Sequence, residues 1–242
     1  MAKYLNKIGY SLLTFSLLSV SFAQENKSKN LVILLHGLGR TSSSMEKMAL
    51  FLQQGGFLVK NIDYPSYKSS IQEISDTILF PIIQQVDSSV SIHFVTHSMG
   101  GIIVRDFLWR YPTSQVKRIV MLGPPNGGSE VADNLANIWP VSLILGEKLE
   151  QLKTDSASLV NRLPSPDVEV GIIAGNRSIN WINSIMLKGP DDGKVSVERT
   201  KLPGMKDFLV LPITHTFMMV NKEVMRQTNE FLQYGRFHHK QD

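Results

Sequence analysis

The sequence contains no cysteine. That absence removes thiolate nucleophiles, cysteine-based zinc sites and a lipid-modified amino terminus, and it leaves the core without disulfide support. Charge of one sign is also scarce. Lys and Arg number 25 against 21 Asp and Glu, a net charge of +4. The excess is scattered, which argues against the basic footprint of a nucleic-acid-binding protein. No internal repeat is visible, so repeat architectures drop out. What remains is an ordinary globular composition, 43% hydrophobic and 19% charged over 242 residues. Such a chain can bury a normal core in one α/β domain.

The amino terminus reads as an export signal. Lys3 and Lys7 form a basic start, Ile8 to Phe22 is uncharged and mostly apolar, and Ser21-Phe22-Ala23 supplies small residues for cleavage after Ala23. This divides the chain into a signal peptide, 1–23, and a mature domain, 24–242, acting in the periplasm or outside the cell. A retained membrane anchor is the competing reading of the same segment.

Past a polar stretch, two kinds of segment alternate. Leu31 to Leu35 is a continuous apolar run, as a strand covered on both faces requires. Further strands are expected at Phe57 to Ile62, Val90 to Thr96, Val116 to Leu122, Val168 to Ala174 and Phe208 to Leu211. Helices are expected at Ser43 to Leu52, at Ile71 to Val86 with a kink or break at Pro81, at Gly101 to Arg110, and at Thr216 to Tyr234 with Phe217, Val220, Val224 and Phe231 along one side. Strands alternating with helices predict a mostly parallel sheet with helices on both faces. Residues 126–166 are too long for a simple crossover and read as a cap over the site. Trp139 and Leu143-Ile144-Leu145 within it suit either a lipid-facing surface or core.

Four features fall after separate strands, where open α/β sheets gather their ligands. Thr96-His97-Ser98-Met99-Gly100 is one residue from the G-x-S-x-G elbow, which thrusts a serine out of a strand-to-helix turn. Threonine replaces the first glycine, and it can stay extended because the strained residue of such a turn is the serine. His36-Gly37-Leu38-Gly39 lets the backbone pass close to a reacting carbonyl. The amides of Leu38 and Met99 are the candidate oxyanion-hole donors. Asp191-Asp192-Gly193 offers a carboxylate to orient an imidazole, and His215 provides that imidazole. Ser98 is the candidate nucleophile.

With these residues the chain resembles the α/β-hydrolase superfamily, and within it bacterial lipases and the GPI inositol-deacylase-like esterases. The matching stretches are Val32 to Gly39, Val95 to Gly101, Leu122 to Gly128, Asp192 to Val195 and Leu209 to His215. The resemblance implies an acid immediately before the glycine, hence Asp192 over Asp191. It also implies carboxylic-ester or acyl-lipid substrates, no cofactor, and contact with a lipid interface at most in passing. Calcium is not expected, since no acidic residue stands just after His215. An acyltransferase, a peptidase or amidase, and a catalytically silent binding module share the fold and remain alternatives. A dinucleotide-binding reading of Gly37 to Ser42 with Asp63 fails because serine occupies the third glycine position. Among the other histidines, His36 is expected to be structural, His93 to be buried in its strand and His97 to point away from the site into packing. His238 and His239 are expected in a solvated tail.

Overall fold

The computed structural model describes residues 30–136, 138, 141–179, 184 and 187–239, with the backbone alone at 141–144. The expected signal peptide, Trp139 and the side chains of Leu143 and Ile144 lie outside the described residues. Six strands form one sheet: β1 (Asn30–Leu35), β2 (Leu58–Ile62), β3 (Ser91–His97), β4 (Val116–Leu122), β5 (Glu169–Gly175) and β6 (Asp207–Leu211). Their order is β2-β1-β3-β4-β5-β6, and every pair is parallel. Leu35 stands level with Thr96, His97 with Leu122, and Leu122 with Ile173. The carboxyl ends of the central strands therefore open onto one edge.

Successive strand side chains point to opposite faces, and the core divides accordingly. Ile33, Leu35, Phe94, Ile119, Met121 and Ile172 pack on the face covered by α2 (Ile71–Ile74), α3 (Phe80–Gln84) and α4 (Met99–Arg110). Val32, Leu34, Val95, Val120, Leu122 and Ile173 pack on the other, covered by α1 (Glu46–Gln54) and the carboxyl-terminal helix. Burial of both faces explains why the strands read as unbroken apolar runs. Helix α4 buries every side chain from Met99 to Phe107. Pro81 does not break its helix. A π-helical stretch, Ser75–Leu79, joins α2 to α3 and gives the proline ring the widened turn it needs.

Between β4 and β5 the chain forms α5 (Glu130–Leu135), α6 (Val141–Gln151) and α7 (Leu159–Arg162). The buried guanidinium of Arg105 on α4 ties this segment down. It donates to the Asn126 backbone oxygen and Oδ1 at 3.2 Å, and to the carbonyls of Val160 at 3.1 Å and Leu163 at 2.5 Å. With no carboxylate at hand, burial pulls its pKa down to about 10. One turn, α8 (Val197–Thr200), precedes β6.

The carboxyl-terminal region departs from expectation at the start of its helix. His215–Val220 is a 3₁₀ turn, and a separate helix, α9 (Lys222–Tyr234), follows. The Asn221 side chain accepts from the amides of Glu223 and Val224 and so starts that new helix. Phe217 and Val220 consequently lie outside its apolar stripe and are exposed. His238 and His239 are exposed, as expected, although the tail around them is anchored. Phe237 is buried against Phe231, its amide donates to Asp207, and His239 also reaches Asp207.

His93 is buried in β3 as expected. Burial, helped by Arg118 and Lys117, lowers its pKa to about 4 from 6.5. The unfolded chain therefore holds the extra proton between those two values, so stability falls as pH drops from 6.5 towards 4. The loss from this residue approaches about 3 kcal/mol. Denaturant melts across that range should show His93→Gln losing correspondingly less stability than the parent protein.

Candidate active site

The chain moves outward from β1 to β2 and then returns to the far side of β1 for β3. Such a reversal opens a crevice at the carboxyl ends of β1 and β3, where α/β sheets bind ligands. The turn after β1 carries His36 to Gly39, and the turn after β3 is Ser98.

Ser98 has φ 54° and ψ −123°, and no other non-glycine residue among those described has positive φ. Thr96 stays extended inside β3, as the sequence predicts. Holding serine in this conformation costs about 1–3 kcal/mol, and the surroundings enforce it. A Cβ on Gly100 would sit 2.8 Å from the Leu35 carbonyl oxygen and 2.9 Å from that of His36. The helix start is thereby pressed onto the end of β1. A Cβ on Gly101 would lie 3.3 Å from Thr96 Oγ1. The extra bulk of threonine at the first elbow position is thus matched by a missing side chain at Gly101.

His215 follows β6, and its Nδ1 lies 2.7 Å from Asp192 Oδ2. A carboxylate only accepts, so Nδ1 carries the proton and Nε2 is left with its lone pair. The other oxygen of Asp192 accepts from the amides of Lys194 at 2.9 Å and Val195 at 2.8 Å. Asp191 turns elsewhere, accepting from Ser184 Oγ and the Gly193 amide. The His215 amide donates to the Asp192 carbonyl at 2.9 Å, which locks the two loops together.

Sequence reasoning missed three contributors. His97 does not leave the site. Its Nε2 donates to the His215 carbonyl at 3.0 Å, and the two rings stand 4.7 Å apart. Burial and the neighbouring His215 hold its pKa well below 6.5, so it is a neutral prop. Tyr64 clamps the turn after β1. Its ring stacks on His36 at 3.9 Å, its hydroxyl donates to the His36 carbonyl and its amide donates to His36 Nε2. His36 is structural, as expected, and Leu38 is placed by that clamp. The third is Gly123, with φ 55°. A Cβ there would meet Asp192 Oδ2 at 3.0 Å and His215 Nδ1 at 3.1 Å. Its signal, Gly123-Pro124-Pro125, looks in the sequence like a strand stop. Gly123→Ala should lower kcat about 100-fold by displacing the imidazole and cost about 1–2 kcal/mol of stability. Parallel kinetics and thermal melts check both effects.

Ser98, His97, His215 and Leu38 line one cavity of about 160 Å³. Its far wall is apolar, built by Val131, Ala132 and Leu135 with Leu149 and Leu152. The segment between β4 and β5 therefore does face the site. Met99 buries its side chain in the core, and as the first residue of α4 its amide has no acceptor within the helix.

Residues 31–162, just over half of the chain, match the family model described as palmitoyl protein thioesterase. The chain belongs to the palmitoyl protein thioesterase family. It is an ester hydrolase of the α/β-hydrolase superfamily, in agreement with the fold expected from the sequence. The part matched to the palmitoyl protein thioesterase family carries Leu38, Ser98 and Met99, whereas Asp192 and His215 lie beyond it. No curated protein matches the sequence. Among solved structures, a Bacillus licheniformis lipase in mature form shares 21% identity with a TM-score of 0.66, over 84% of this chain and 91% of that one. Phospholipase PlaB of Legionella pneumophila, in complex with thio-NAD, shares 17% with a TM-score of 0.66, over 86% of this chain and 59% of that one. A Pyrococcus furiosus esterase shares 20% with a TM-score of 0.56, over 85% and 81%. At these identities the likeness is one of fold.

Proposed function

We propose that the protein cleaves acyl esters and acyl thioesters through a covalent acyl-serine intermediate. Ser98 Oγ attacks the carbonyl while His215 Nε2 takes its proton. Asp192 holds the imidazole and stabilises the cation that forms. The amides of Leu38 and Met99 stabilise the oxyanion, each worth about 3–4 kcal/mol. The alcohol or thiol leaves with the proton from His215. Water, deprotonated by the same imidazole, then releases the carboxylic acid and restores Ser98. The helices between β4 and β5 serve as a cap, and their apolar wall receives the acyl chain.

The observation that carries this reading is the 2.7 Å pairing of His215 Nδ1 with Asp192 Oδ2. Asp192 occupies Nδ1, so the basic nitrogen is the one left for a serine lining the same cavity. Matched p-nitrophenyl octanoate and octanoyl thioester test it. Both should be hydrolysed with a burst of alcohol or thiol equal to the enzyme present, provided deacylation is slow. Hydrolysis with no acyl-enzyme detectable in rapidly quenched samples by mass spectrometry would count against the covalent step.

A further inference from the structure

We propose that Arg40 and Lys194 select substrates bearing a phosphate on the alcohol side of the scissile ester. This rests on the acyl-serine reading and adds the chemistry of the leaving group. The cavity lining is of two chemical kinds, apolar and cationic. The apolar wall on α5 and α6 is complemented by two cations, Arg40 beyond β1 and Lys194 beyond β5. No aspartate or glutamate lines the cavity. Some cations of this chain are neutralised by carboxylates, as Arg118 is by Glu169, Arg199 by Glu130 and Lys201 by Glu198. Neither Arg40 nor Lys194 has an acidic partner among the described residues.

Their placement is fixed by the backbone. The Arg40 amide donates to the Gly37 carbonyl, within the turn that carries Leu38. The Lys194 amide donates to Asp192 Oδ1, and its carbonyl accepts from Ser129 Oγ. Each cation is thus tied to a loop that holds a candidate catalytic group, one on each side of Ser98. The Arg40 charge also reaches the buried His97, where it helps disfavour protonation. A fatty chain on the apolar wall leaves the alcohol to face the cations. A guanidinium fork and an ammonium together suit a phosphate dianion. The chemistry balances without a co-reactant: the acyl carbon–oxygen bond breaks, the phosphorylated alcohol departs protonated, and water supplies the carboxylate oxygen.

A matched pair tests this, 1-octanoylglycerol against 1-octanoylglycerol 3-phosphate, both as dissolved monomers. The phosphate ester should show kcat/KM about 10-fold higher, the effect of two exposed charge pairs. The ratio should fall towards one in Arg40→Gln/Lys194→Gln and in about 0.5 M salt, where charges are screened within a few ångströms. Arg40→Glu should drive it below one. A merely structural role for either residue would lower both rates and leave the ratio alone. Equal rates in the parent protein, or a preference that survives the double substitution, overturn the proposal. So does failure on both glycerol esters while p-nitrophenyl octanoate is turned over, and in that case the acyl-serine reading stands. Loss of p-nitrophenyl octanoate turnover as well removes that reading too. Repeating the pair as phosphatidic acid and diacylglycerol in phosphatidylcholine vesicles distinguishes a lipid headgroup from a soluble phosphate ester as its source.

Discussion

Ser98→Ala should leave a folded protein whose kcat on p-nitrophenyl octanoate is lower by on the order of 10⁵–10⁶. The hydroxyl oxygen is the only heavy atom removed, and no described partner depends on it. The Cβ remains, so the unusual backbone at φ 54° stays as strained as before. Thermal stability should therefore change little. Ser98→Gly separates strain from chemistry. It should be equally inactive yet more stable than Ser98→Ala by about 1 kcal/mol, because glycine tolerates positive φ. A parent protein strained at its nucleophile and relaxed by glycine is what a site built for reactivity predicts. His215→Ala should cost nearly as much activity as Ser98→Ala, and the double variant little more than either, because the two side chains act as a unit.

Asp192→Asn should lower kcat about 10⁴-fold, whereas Asp191→Asn should stay within about tenfold of the parent. The two residues are adjacent and chemically identical, so only their partners separate them. Asp192 Oδ1 receives the amides of Lys194 and Val195. An asparagine keeps those bonds by placing its own oxygen there, which turns its NH₂ towards His215. That group can only donate, so it forces the proton on the imidazole from Nδ1 to Nε2. The nitrogen facing the cavity then has no lone pair for the serine proton. The protein should fold normally and fail at the first proton transfer. Asp191 accepts from Ser184 and Gly193 and touches neither ring, so its substitution disturbs a loop rather than the reaction. Reversed magnitudes for this pair would move the acid to residue 191.

Much of the architecture is legible in the residues themselves. A strand covered on both faces has no polar face to show, so Leu31 to Leu35 and Val116 to Leu122 stand out as apolar runs. The elbow is equally plain, because a lone serine between a strand and a glycine-rich helix start has few other uses. What escaped depends on contacts across the sheet. His97 sits on β3 and His215 follows β6, three positions away in strand order, so no local pattern announces that one props the other. Gly123 is needed because of what β5 and β6 bring beside it. Asp191 and Asp192 could be ranked by resemblance but not by spacing, since the choice is made by two amides in their own turn. The final helix was misjudged at its start because Asn221 offers a cap that competes with helical continuation. Phe237 drew no expectation, because a short tail with two histidines looks polar until Phe231 is placed next to it.

A fluorophosphonate probe reads the central claim most directly, since it labels only a serine whose proton is being taken by a neighbouring base. Peptide mapping should place one adduct on Ser98, lost in Ser98→Ala and formed orders of magnitude more slowly in His215→Ala. An intact, hydrolytically active protein that takes no label, or carries it on a residue other than Ser98, would contradict the account.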